Sequence, residues 1–300
     1  MLRAHLWLVL TVAYAAGSTL PLFAQAPGVK IVRDRGEEFD TLLEKAGAYR
    51  AAGALLSAET VREQLTRTSC VVRLPAPATR KLTDREIWQR SKDSHGRVGW
   101  YYLCSKCNNW HLNLAGGCFI TARGVMATCY HVLRPNPDHR EAYLLVADEH
   151  NSLFPVTEVL AGNELADTAI IKVNVSSPVK CLALNTQVYP GDGAWCYSDP
   201  LGRSGYFSKG TVNRFYFQKS KGGEVPRLEV STDWAPGSSG SAVLDECANI
   251  IGFVSAIQPA GASHSRSTNH TSASASAMIT FHSASRAADV LALVKPARRR

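Results

Sequence analysis

A serine hydroxyl attacks a carbonyl only beside a base. The base needs a carboxylate to hold one tautomer, and the developing oxyanion needs converging N–H donors. Three segments supply these groups in the order His, Asp, Ser. Gly116-Gly117-Cys118-Phe119-Ile120-Thr121 and Val125-Met126-Ala127-Thr128-Cys129-Tyr130-His131-Val132 read as two strands joined by a turn at Arg123-Gly124, delivering His131 to a barrel edge. Asp167 opens the apolar run Thr168-Ala169-Ile170-Ile171-Lys172-Val173. An acid there is costly to bury unless something accepts its charge, and an imidazole is such a partner. In Pro236-Gly237-Ser238-Ser239-Gly240-Ser241, Gly237 lets the main chain turn so that its own N–H and that of Ser239 converge, and Gly240 leaves room beside the hydroxyl. Taken singly, each segment has a plainer reading: a surface histidine, an acid capping a strand, a Ser-rich turn. His139 and His150 lack such strand context and read as loop residues.

The elements that must position these groups are short strands. β-rich runs alternate with turn signals at 98–103, 117–121, 125–128, 142–146, 154–159, 168–173, 194–197, 210–217, 228–231, 241–244 and 250–255. With no βαβ rhythm, the pattern predicts a barrel pair or sandwich, an all-β class. Ahead of it, residues 28–66 read as helical: Phe39, Leu42, Leu43, Ala46 and Tyr49 recur at helical spacing, and Ser57 caps a second segment through Val61 and Leu65. Thr83-Asp84-Arg85-Glu86 is a capping box for a short helix through Trp88. This extension reads as a packing appendage, a pro-segment or a partner-binding arm. Gly261 to Ala277 is rich in Ser, Ala and His and reads as a flexible surface loop, after which Ser283 is expected to cap a helix carrying Val290, Leu291 and Val294.

Composition narrows the class. With 45% hydrophobic and 19% charged residues the chain is ordinarily globular, and the net charge of +8 comes with no stripe of basic and aromatic residues, so no nucleic-acid partner is expected. Arg3 and His5, the apolar run 6–13 and the small residues up to Ala24 have the layout of a secretory signal peptide cleaved after residue 24. The expected location is secreted or periplasmic, without stable membrane insertion after cleavage; an uncleaved anchor is the alternative. Export makes the eight cysteines disulfide candidates first. Cys104-Ser105-Lys106-Cys107 is a CxxC followed by His111, but no second CxxC or HxxxH completes four ligands. A local disulfide or clamp ahead of the first barrel strand is therefore favoured over a metal site. Cys118 and Cys129 fall on strands expected to pair and are either bridged or buried thiols.

Together the three chemical segments resemble trypsin-like serine peptidases, with a texture similar to the bacterial HtrA branch. Pro190-Gly191-Asp192, Tyr197-Ser198-Asp199-Pro200-Leu201-Gly202 and Gly210-Thr211-Val212 match that branch between acid and nucleophile. The resemblance implies a chymotrypsin-like double β-barrel over 98–295, preceded by a signal peptide at 1–24 and an N-terminal helical extension at 25–97, and followed after a C-terminal helix by a basic tail at 296–300. It also implies a serine endopeptidase acting on polypeptides without cofactor or metal. His131, Asp167 and Ser239 are the implied triad, and the Gly237 and Ser239 amides the oxyanion hole. A non-catalytic binding module and a serine esterase or self-processing enzyme remain alternatives. No PDZ segment is read here, so PDZ-controlled degradation is not expected. Ser238 stands where trypsin-type zymogens carry the acid that pairs with a freshly cut N-terminus, so no such cut is expected. On the substrate side lie Asp233, where trypsin holds Lys or Arg, and Ser255, Ala256 and Ile257. Ile257 narrows the pocket mouth, which favours a small or medium apolar P1 side chain.

Overall fold

The computed structural model describes residues 31–32, 37–261 and 277–296. The expected signal segment, the Ser/Ala/His-rich insert and the basic tail lie outside the described residues, except for Gly261, Ala277 and Pro296 at their edges. In chain order the elements are α1 (Glu37–Ala51), β1 (Leu56–Ser57), α2 (Ala58–Gln64), β2 (Cys70–Val71), α3 (Asp84–Ser94), β3 (His95–Cys104), β4 (Trp110–Thr121), β5 (Val125–Thr128), β6 (His139–Ala147), β7 (Leu153–Asn163), β8 (Thr168–Val173), β9 (Gly193–Ser198), β10 (Tyr206–Ser220), β11 (Gly223–Val230), β12 (Ala242–Leu244), β13 (Ile250–Gly261), β14 (Ala277–Arg286), α4 (Ala287–Ala292) and β15 (Val294–Lys295).

Strands β6-β3-β4-β5-β8-β7 lie side by side, and β7 pairs back onto β6 to join the ends, with β1 added beside β6. β10-β11-β14-β13-β12-β9 form a second, closed barrel. The mostly-β double barrel expected from the sequence is the fold. Closure removes the unpaired edges that a long antiparallel sheet would otherwise present. Phe119, Ile120, Met126, Leu144, Ile170 and Ile171 fill the first barrel, and smaller residues such as Ala194, Val212, Val243 and Ala284 fill the second.

The helices of the extension form for local reasons. Ser57 Oγ accepts the Thr60 N–H at 3.4 Å to cap α2. At α3 the Glu86 carboxylate takes the Thr83 N–H at 2.8 Å while Thr83 Oγ1 accepts the Glu86 N–H. The Thr83 N–H first, then Arg80 and the Thr83 hydroxyl, hold Glu86 at about 2. Val61 and Leu65 pack against the first barrel, α3 with the buried Ile87 packs against β9 of the second, and β2 runs parallel to β15, tying the extension to the C-terminal end.

Two readings are corrected. Part of the segment expected to be loop is strand: Ala277 begins β14, which pairs with both β11 and β13. Ser283 lies inside that strand, opposite Glu229 and Ala256, so it caps no helix; α4 begins after Arg286, and Val294 lies on β15 instead. The strand opens with Met278-Ile279-Thr280-Phe281, a β-type run that directly follows the Ser- and Ala-rich insert.

Candidate active site

His131 sits in a single 3-10 turn, Tyr130–Leu133, after β5. Val132 and Leu133 are buried beneath it, and Trp100 Nε1 donates to Val132 O at 3.0 Å, so the turn is pinned while the imidazole stays 43% exposed. Asp167 precedes β8 with φ +56°, a left-handed conformation that costs a non-glycine residue free energy and persists only when its surroundings enforce it. They do: Arg227 Nη1 from the second barrel donates to Ala166 O at 2.7 Å, and Ser285 Oγ donates to Asp167 O at 3.1 Å. That conformation turns the carboxylate toward His131, whose Nδ1–H reaches both carboxylate oxygens at 2.9 Å and whose main-chain N–H reaches Oδ1 at 3.0 Å. Ser255 Oγ donates to Oδ2 at 2.5 Å. Burial pushes the Asp167 carboxyl up, but the bonds and charge of His131 and the Ser255 hydroxyl outweigh it and hold the acid below the usual aspartate range.

Ser239 arrives from the second barrel, in the loop before β12. The Gly116 N–H on β4 donates to Ser239 O at 2.7 Å, and the Gly240 N–H donates to Val254 O at 2.7 Å. Gly240 has φ +80°, and a Cβ there would run into Thr128 Oγ1 and Gly116 O, so glycine is required where the loop crosses the seam. A cleft of about 300 Å³ is lined by both His131 and Ser239, with Trp100, Asn113, Leu114 and Gly237. The main-chain N–H groups of Gly237 and Ser239 donate to none of the described residues, and Gly237 has φ +102°. The structure thus brings together the imidazole, the carboxylate, the hydroxyl and two free amides, drawn from both barrels.

The expected substrate residues are placed differently from one another. Ser255 supports Asp167 through its side chain, a contact the sequence reading missed because nothing local signals a bond spanning 88 positions. Ala256 O accepts the Trp234 Nε1–H at 3.2 Å, and Ile257 is exposed on β13. Asp233 is exposed, whereas its neighbour Trp234 is buried with its ring edge-on to His282 at 4.9 Å.

A second buried His–Asp pair backs the Gly237 loop. His95 Nε2–H donates to Asp199 Oδ2 at 3.0 Å, and the Gly205 N–H donates to Oδ1 at 2.8 Å. Burial raises Asp199, and the bond and charge of His95 more than reverse this, so the acid lies below its usual range. The Asp199–Gly202 turn then meets the loop carrying Gly237 and Ser239, because the Leu201 N–H donates to Pro236 O at 2.7 Å. Next door, the Ser238 hydroxyl is buried and donates to Ser198 Oγ at 3.0 Å. Beyond Gly237 a larger pocket of about 530 Å³ runs between Leu112–Leu114, Leu201 and two side chains of α1, Phe39 and Leu42.

All eight cysteines are unpaired, which corrects the expectation of disulfides. Cys118 is a buried thiol raised by desolvation to about 12, and Cys129, raised by burial well above its usual value, donates its S–H to Val254 O. Neither is a thiolate at neutral pH. The CxxC lies in the β3–β4 turn, after the first barrel strand has begun. Among the described residues no helix is long and apolar enough to cross a membrane.

Residues 115–253 match the family model of the trypsin-like peptidase domain. That match and the closed six-stranded barrel fit a trypsin-like serine peptidase. No curated protein matches the chain.

Proposed function

We propose that this trypsin-like peptidase is an exported serine endopeptidase of the HtrA-like texture, with His131, Asp167 and Ser239 as its triad. The observation that carries the reading is the His131–Asp167 pair facing Ser239 across one cleft, beside two amides with no other acceptor among the described residues. Ser239 attacks the scissile carbonyl while His131 Nε2 takes its proton. Asp167 keeps the other ring proton on Nδ1 and stabilises the imidazolium. The Gly237 and Ser239 N–H groups receive the oxyanion, worth about 2.7–4 kcal/mol per donor in comparable sites. His131 then protonates the leaving amine, and water repeats the sequence on the acyl-enzyme. Ser239 Oγ has no hydrogen-bonded partner among the described residues. Such contacts commonly tighten only around substrate.

Ala256 and Ile257 pair with β14 along one edge of β13, and a substrate strand adds along the other. Ile257 at the pocket mouth favours a small or medium apolar P1 residue, and a cleavage profile dominated by Arg or Lys would overturn that preference. The neutral bond between Ser238 and Ser198 replaces the charged pair that a new N-terminus would make, so activity needs no cut ahead of β3. Export is supported by the N-terminal layout of charge and apolar residues.

The test is labelling by a fluorophosphonate, which needs an activated serine but not the correct peptide. The mature protein should label on Ser239, and Ser239→Ala should not. Equal labelling of both would remove the reading, and no labelling of a folded wild type would favour a binding module on the same fold.

A further inference from the structure

We propose that Cys104, Cys107 and His111 form a binding site for a divalent transition metal of the zinc class at the turn of the β3–β4 hairpin. One ligand atom from each of the three lies within 4.8 Å of the others, and Cys107 Sγ is 3.0 Å from His111 Nε2. Chain geometry builds this cluster. The Cys104 N–H donates to Asn109 O at 3.0 Å and the Asn108 N–H donates to Cys104 O at 3.1 Å, with Asn108 at φ +58° closing the turn. This folds the second cysteine back over the first. One strand step further, His111 stands opposite Tyr102, its ring 5.5 Å from that of Tyr102, so the imidazole reaches back to the turn.

The surroundings suit metal better than a disulfide. The Lys106 N–H donates to Cys104 Sγ at 3.4 Å. Neither sulfur is in a disulfide, and Cys107 is open to solvent, so an ion has a route in. Two thiolates and one neutral imidazole match a borderline-soft dication that accepts tetrahedral geometry. Binding releases the two thiol protons to solvent and forms two metal–sulfur bonds and one metal–nitrogen bond. No electron is transferred. The fourth position falls to water, because no other described Cys, His, Asp or Glu joins the cluster.

The site is separate from the proposed triad but coupled to the same cleft. Tyr102 lies between the two, stacked at 3.7 Å on His139, which lines the cleft with His131 and Ser239. Strand β4 runs from His111 to Gly116, whose N–H holds Ser239 O. The metal therefore clamps the free end of the hairpin that borders the cleft.

The experiment is metal analysis of the purified full chain, followed by titration of the metal-free protein with Zn²⁺ and with Co²⁺. The expected result is one metal per chain and thiolate-to-cobalt charge-transfer absorption. Affinity should fall more than about tenfold in Cys107→Ser and in His111→Gln, with fluorophosphonate labelling retained. Zinc should also protect Cys104 and Cys107 from alkylation, a readout that needs only the wild type if a variant fails to fold. A Cys104–Cys107 disulfide in the native protein that takes up no zinc after reduction would overturn the proposal. So would unchanged cobalt spectra in both variants, or alkylation indifferent to zinc. None of these outcomes depends on peptide cleavage, so the site and the peptidase reading fail separately.

Discussion

At the residue scale, the pair His131–Asp167 depends on a conformation that Asp167 does not choose for itself. Its positive φ is enforced by Arg227 and Ser285 from the other barrel, and its carboxylate is shared between an imidazole and the Ser255 hydroxyl. Asp167→Asn should lower kcat by about 10⁴, because the amide no longer selects the tautomer in which His131 is a base toward Ser239. Ser255→Ala removes one bond to a charged group, about 1.5–3 kcal/mol, so steady-state kinetics should show kcat lower by roughly 10- to 100-fold with KM little changed. Wild-type rates in Ser255→Ala would contradict the support assigned to that hydroxyl. The same carboxylates set an acid limit. Asp167 and Asp199 are both held below the ordinary aspartate range when folded, so the unfolded chain binds more protons there. Their stabilisation is present above the usual aspartate range and is lost as pH falls through their lowered values. Thermal melts should therefore drop steeply on acidification below about pH 4 and change little, from these two groups, between about pH 5 and 7. A melting temperature indifferent to pH below about 4 would contradict this. The three segments carrying His131, Asp167 and Ser239 were legible because each pairs a reactive residue with its own local pattern. The Ser255 contact was not, since it exists only after the barrels close.

At the element scale, the turn Asp199–Gly202 is the brace behind the Gly237 amide, and His95, the first residue of β3, fastens that turn from the other barrel. Asp199→Asn should loosen the brace and misalign one oxyanion donor, lowering kcat by up to about a hundredfold while KM moves little. A variant with unchanged kcat would show that the pair is packing alone. Elements were legible where side-chain type and turn signals agreed. The strands Val125–Thr128 and Thr168–Val173 have the bounds that their β-branched and apolar runs suggest. Thr83 and Glu86 announced α3, although that helix continues to Ser94, past the last apolar signal at Trp88. In β14 the run Met278–Phe281 has strand propensity, but Ser283 and Ala284 have little of their own and are held in the strand by pairing with β11 and β13 on both sides.

At the scale of the whole molecule, the site is a product of two closed barrels meeting. Gly116 and Thr128 from one, and Gly240 and Val254 from the other, lock the nucleophile loop across the seam. Barrel architecture was legible from many short strands without helical crossovers, but the clasp of the extension was not, since β2 and β15 are two-residue strands from opposite ends of the described chain. Val61, Leu65 and Ile87, all buried against the barrels, each contribute about 1.5–3 kcal/mol, a large share of the roughly 5–15 kcal/mol that holds a domain folded. Deleting residues 37–94 should therefore abolish the cooperative melt rather than release a more active enzyme. A truncated chain that melts cooperatively and labels faster would instead make the extension an inhibitory pro-segment. The central claim is that an imidazole and a hydroxyl from different barrels act as one unit. Its most direct test is the kinetics of peptide cleavage by His131→Ala, Ser239→Ala and the double variant. The account predicts that each single change costs about as much as both together, leaving only residual activity. Losses that multiply, or substantial cleavage by folded Ser239→Ala, would contradict it.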